Sequence, residues 1–201
     1  MPREQLGDRF LQGTFEGFEP YQEVGAFIGK NDWRALDPTM LDSHYCALSF
    51  FSESGFRFFL PAYLIADLRG QLLTADPLFH LWHGFATVSA EVPVGQQIFR
   101  RDSGGKRLLN PQRLGAMTWS DYARYRLSVF TREEAKAIVA YMTYKREQDT
   151  MGLDKSRINA ALEEFWFDRT ENAPSHAVLE AYVQEEKKFA AAPQRRREEK
   201  Q

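Results

Sequence analysis

Between Ala47 and Gly70 the chain reads ALSFFSESGFRFFLPAYLIADLRG, a crowd of aromatic and apolar residues in a sequence that is otherwise strongly polar. Such a segment has to be buried, because each large apolar side chain withdrawn from water contributes about 1.5–3 kcal/mol. It therefore belongs at the centre of whatever core the chain builds. Its secondary structure is open to two readings. CALSFF and FRFFL flank the turn-like Ser52-Glu53-Ser54-Gly55, as the arms of a hairpin would. Alternatively, Ser52 caps a helix in which Phe56, Phe59, Leu60 and Tyr63 recur at i, i+3, i+4 and i+7, with Pro61 bending it. The helical reading is preferred, Gly55 being its local cost. Under both, Phe51, Phe56, Phe59, Leu60 and Leu64 are core residues.

A core of that kind needs enough chain around it, and 201 residues with 43% hydrophobic content and 16 Phe supply it without a covalent staple. Residues 1–192 are expected to form a single globular domain, and residues 193–201, PQRRREEKQ, a charged and disordered tail. The single cysteine, Cys46, excludes an intramolecular disulfide and a Cys-based zinc site and points to a reducing compartment. With 26 basic against 28 acidic residues the net charge is only −2, so no global field draws the molecule to nucleic acid or an anionic membrane. The start, MPREQLGDRF, lacks the apolar run of a secretory signal. The longest apolar stretches fall short of the roughly 20 residues that span a bilayer. The expectation is a soluble cytoplasmic protein.

Elsewhere the pattern predicts mainly helix with a small β element, an α+β chain whose last third is helical. Leu6, Phe10 and Leu11 have helical spacing interrupted by glycines, and Phe18 to Asp32 reads as irregular chain pinned by Phe18, Tyr21 and Phe27. Asp37-Pro38 is a helix start, with the helix expected to run to about Ala47. The stretch from Asp76 to Trp119 is rich in turn residues and is where strands are expected. Gln96–Arg101 and Lys106–Leu109 flank Asp102-Ser103-Gly104-Gly105, a hairpin signal. Thr131-Arg132-Glu133-Glu134 is a capping box ahead of Ala135, Ile138, Val139 and Met142 on one helix face. Ile158, Ala161, Leu162, Phe165 and Trp166 form a second apolar stripe. A last helix from about Ser175 is expected to turn Val178, Tyr182 and Phe189 to the body.

Chemistry is sparse. His80 and His83 are three apart, so on a helix their imidazoles project to one side and form a weak candidate pair for a divalent metal, with Asp76 and Glu91 the nearest carboxylates. Two ligands are not a site, and the alternative is a turn with Trp82 and Phe85 packed inward. Cys46 near His44 has the residue types of a thiolate nucleophile, but its neighbours Tyr45, Ala47 and Leu48 are those of a small buried hydrophobe. Ser103-Gly104-Gly105-Lys106-Arg107 lacks the spacing of a phosphate loop, because Arg100 stands where a glycine is required. What remains is a basic patch, Arg100, Arg101, Lys106, Arg107 and Arg113, either a weak partner contact or a solvated rim. Arg57, between Phe56 and Phe58, is either presented to a ligand or paired with a carboxylate such as Asp67. Glu163 and Glu164 are adjacent on a helix and point about 100° apart, so they do not share a site. No motif calls for a cofactor.

From Trp33 through Leu48-Ser49-Phe50 to Arg57-Phe58-Phe59-Leu60-Pro61-Ala62-Tyr63-Leu64, the chain resembles the hallmark segment of an uncharacterised family of small bacterial proteins. The resemblance implies a shared core and transfers no catalytic residue. Two functions of different class follow. One is a non-catalytic protein-binding domain, for instance of immunity or antitoxin type, which is the preferred expectation and makes enzymatic activity the less favoured one without excluding it. The other is a small enzyme or ligand binder whose site gathers His80, His83 and Arg57.

Overall fold

Short polar side chains that accept the free amides of a first turn set most of the helix starts in this chain. The computed structural model describes residues 19–95, 97–105, 116–181 and 184. Helix α1 (Glu19–Gly25) occupies part of the run expected to be irregular, while Phe27 just beyond it is fully buried, as the anchor role requires. After a 3-10 turn at Trp33–Ala35, Asp37 accepts from the Thr39 amide at 2.9 Å and starts α2 (Pro38–Ser43), with Pro38 where no amide is needed. This helix stops earlier than expected. His44 leaves helical geometry at φ −109° and ψ 51°, its carbonyl takes the Tyr63 hydroxyl at 3.1 Å, and a new short helix, α3 (Ala47–Phe50), follows.

Ser52 decides the aromatic segment. Its Oγ accepts from the Gly55 amide at 3.1 Å and opens α4 (Glu53–Leu68), so the hairpin alternative is excluded because its turn residues are the first turn of a helix. The helix runs on through Pro61. Phe56, Phe59, Leu60 and Tyr63 are each no more than 1% exposed, whereas Leu64 is only half-buried. Phe27, Phe51 and Phe59 meet with ring centroids 4.9–5.0 Å apart, a contact geometry that adds to simple area burial. One continuous core cluster reaches from Val24 to Trp166.

A second Asp-Pro start builds α5 (Pro77–Trp82), where Asp76 accepts from the Phe79 amide at 3.1 Å. The loop before it is fixed by Asp42, whose Oδ1 accepts from the amides of Leu73, Thr74 and Ala75 at 2.8–2.9 Å. Those amides, Ala75 foremost, hold the Asp42 carboxyl below the usual carboxylate range.

The β element is an antiparallel ribbon of β1 (Thr87–Val94) and β2 (Gln97–Gly104), in register from Thr87 opposite Gly104 to Val94 opposite Gln97. This corrects the expected hairpin. Asp102, Ser103 and Gly104 lie within β2, and the connection falls at residues 95–96, where Gly95 has φ +64° as a two-residue hairpin loop demands.

Helix α6 (Trp119–Leu127) stands where no helix was expected, started by a capping box in which Thr118 Oγ1 accepts from Asp121 N and Asp121 accepts from Thr118 N. The predicted Thr131/Glu134 box starts α7 (Arg132–Gln148), with Ala135, Ile138 and Met142 buried and Val139 packed against the core. The second stripe is buried throughout, but its helix is not uniformly α: α8 (Lys155–Ala161) passes through a π turn (Leu162–Trp166) into α9 (Phe167–Asn172). Residues 176–181 are helical again. There Leu179 is buried and Val178 is 45% exposed, which reverses the expected inward residue. The fold is mainly helical with a small β element. The expected helix around Leu6, Phe10 and Leu11, the strand Lys106–Leu109, Tyr182, Phe189 and the tail at 193–201 lie outside the described residues.

Candidate functional site

The chain leaving α5 and the first turn of α6 touch because of one glycine. Gly84 has φ +99°, and a Cβ on it would stand 2.7 Å from the Trp119 carbonyl oxygen and 2.8 Å from the Ala123 Cβ. Three hydrogen bonds from two side chains hold the pair of helices. The buried Trp166 indole donates to the Leu81 carbonyl at 2.9 Å, satisfying a carbonyl near the end of α5. Arg169 donates to the carbonyls of Ser128 and Phe130 at 2.8 and 3.2 Å and fixes the far end of α6.

The result is a shallow cleft, about 50 Å³ of cavity proper opening to solvent, lined by His80, His83, Trp119, Tyr122, Ala123, Arg126 and Leu127. His80 is half-buried and faces the Phe56 and Phe79 rings edge-on, at centroid distances of 6.2 and 5.3 Å. Burial, with help from the Arg126 charge and His83, pushes its imidazole down to about 3. His83 caps α5, stacks on Phe79 at 4.5 Å and meets the edge of Trp119 at 5.0 Å. Burial lowers it as well. Both rings are therefore neutral at physiological pH, each offering one N–H and one acceptor nitrogen. The Nδ1 of His83 is buried and meets no hydrogen-bond partner among the described residues.

Arg126 forms the third side. Its guanidinium lies 4.7 Å over the Phe56 ring and donates to the carbonyls of Leu48 and Ser49, so its plane is fixed before any ligand arrives. Among the described residues, the ion pairs include no carboxylate partner for it.

The histidine pair thus does share a cleft, but its companions are not those expected. Arg57 is elsewhere: its Nε donates to both Glu134 oxygens at 2.9 and 3.0 Å, binding α4 to the start of α7. Asp67, its expected partner, instead accepts from Tyr141 at 2.6 Å and pairs with Lys145 at 2.9 Å. Asp76 caps the opposite end of α5, and Glu91 lies in β1 opposite Arg100. Among the described residues no group of three or more His, Cys, Asp or Glu side chains gathers as a metal site would require. Arg100 and Arg101 lie in β2, and Lys106, Arg107 and Arg113 lie outside the described residues. Cys46 is a half-buried thiol in no disulfide, and His44 faces Glu23 at 3.8 Å. Glu164 lies 3.8 Å from Arg124 across to α6.

Sequence reasoning missed Trp119, Tyr122 and Arg126. The usable signal was Thr118 with Asp121 three positions on, which announces a helix and places Trp119, Tyr122, Ala123 and Arg126 on one side of it.

The pattern of a family of unknown function, DUF6714, matches residues 14–99. That span takes in the aromatic segment and both histidines and ends within β2, before the α6 residues of the cleft. No curated protein and no solved structure matches the chain.

Proposed function

We propose that this protein is a non-catalytic binding domain whose ligand is a small molecule held in the cleft between α5 and α6. The observation that carries this reading is the convergence of His80, His83, Tyr122 and Arg126 on one concavity, with a buried His83 nitrogen left to be satisfied. The cavity proper is about 50 Å³, well under the few hundred Å³ of ordinary ligand pockets, so a ligand lies partly in the open mouth, against walls that combine aromatic surface with a few convergent polar groups. Burial lowers both imidazoles and makes them weak proton acceptors, so the arrangement offers a grip rather than an efficient general base. The setting we propose is the bacterial cytoplasm, following the resemblance and the single cysteine.

A fragment library screened by ligand-observed NMR, with each hit then titrated against the protein's own histidine ring spectrum, tests this. Hits that compete with one another and shift the ring signals of His80 and His83 support it; a library without hits, or hits that leave both rings unmoved, would sink it.

One observation favours a second reading, protein binding of immunity or antitoxin type. The hairpin carries Val94, Ile98 and Phe99 at 58%, 69% and 51% exposure, an apolar group at the end of a two-stranded ribbon. Under that reading a partner captured by the intact chain is lost on Ile98→Asp with Phe99→Asp, and retention of the partner by that variant rejects it.

A further inference from the structure

We propose that the cleft selects a small carboxylate with a flat apolar body, an inference that rests on reading the cleft as a ligand site. The charge argument comes first. Arg126 brings a permanent positive charge to the wall, and the described residues supply it with carbonyl acceptors and an aromatic face but no counter-charge. A cation entering beside it is repelled, and two imidazoles without a carboxylate do not offset that repulsion. An anion is attracted to the same point.

The geometry then narrows the anion. Two of the five guanidinium N–H groups are engaged by Leu48 and Ser49, which leaves part of a planar fork for an acceptor of matching plane. The neutral rings of His80 and His83 add at most one N–H each, and Tyr122 a hydroxyl, so a single fixed positive charge with neutral donors around it faces the ligand, which matches a carboxylate monoanion better than a phosphate dianion. His83 and Trp119, 5.0 Å apart edge to face, form an aromatic wall against which a flat apolar body packs, with Ala123 and Leu127 completing the apolar surface. The lowering of His80 by Arg126 agrees with this placement of the charge.

The chain has 4 histidines, so their ring C–H signals form a simple spectrum in which the cleft pair is read against His44 and His176. The wild-type protein is titrated separately with benzoate, benzamide, benzylamine, inorganic phosphate and zinc ion. Benzoate is expected to move the His80 and His83 signals and leave His44 and His176 in place. Benzamide, the same shape without the charge, is expected to bind at least about tenfold more weakly, and benzylamine not at all. Arg126→Lys keeps the charge and loses the planar fork, and is expected to weaken benzoate several-fold, with Arg126→Gln weakening it further. Benzamide or benzylamine matching benzoate, phosphate displacing it, or zinc moving the same signals at lower concentration would each overturn the proposal. Benzoate failing where an uncharged fragment occupies the cleft overturns the carboxylate assignment and spares the ligand site, whereas failure of these probes and of the whole library removes both.

Discussion

At the scale of single residues, Glu134 carries more of the architecture than its half-exposed position suggests. It closes the capping box on Thr131 at 2.7 Å and receives the Arg57 Nε, so one carboxylate starts α7 and ties it to α4. Glu134→Ala removes both and leaves the Arg57 side chain, only 16% exposed, without its counter-charge. We expect a loss of about 2 kcal/mol in urea unfolding, the exposure of the glutamate moderating the ionic part. Arg57→Ala, which spares the cap, is expected to cost less; an equal or larger cost would refute the double role. The aromatic neighbours of Arg57 told the sequence reader to look for a carboxylate, and that was correct. The choice of Asp67 failed because ten residues along one helix is about 15 Å, beyond any side-chain pair, whereas Glu134 arrives from another helix and no sequence spacing reports it.

At the scale of elements, the juxtaposition of α5 and α6 depends on the missing side chain of Gly84. Gly84→Ala meets the Trp119 carbonyl at 2.7 Å and also an unfavourable φ of +99°, so α6 has to move away from the chain that follows α5. We expect a loss of about 2 kcal/mol or more, seen as a lower melting temperature, together with weakened ring-current shifts between His83 and Trp119. An alanine variant with wild-type melting and unchanged shifts would show that the contact is not restrictive. Elements with strong stripes, such as α4, α7 and the one through Trp166, were legible because their apolar residues repeat over several turns. Helix α6 was not: only Ala123 and Leu127 of its nine residues are buried, so periodicity is nearly silent and the capping box is the only cue. The hairpin was legible in kind but not in register, because Gly95 and the Gly104-Gly105 pair are equally good turn formers and only pairing with Thr87–Val94 selects between them.

At the scale of the whole molecule, acid acts on two sets of groups. His80 is held down to about 3 by burial, so the unfolded chain takes up a proton near the ordinary imidazole value while the folded chain does not. Its stabilising contribution is full above about pH 6.5 and declines as the pH falls towards 3. The carboxyls of Asp42, Asp121 and Asp149 are lowered by the backbone amides they accept from, so theirs is present above the ordinary aspartate range and lost as the pH drops through their folded values. Denaturant unfolding should therefore weaken in two stages, one that begins near pH 6.5 and continues towards 3, and a steeper one below about pH 4 where the carboxyls join it. His80→Gln should flatten the first stage and Asp42→Asn reduce the second; a wild-type profile level from pH 7 to 5 would contradict the buried neutral imidazole. The π turn at Leu162–Trp166 bears on how the chain can change length. A π turn holds one residue more than the α turn it replaces, so shortening the chain by one at Glu163 or Glu164 returns the helix to ordinary winding with α8 and α9 still in phase. The same deletion elsewhere in that helix swings every later residue by about 100° and takes Arg169 off the carbonyls it holds. An insertion accommodated once in this way is also one the protein can give back.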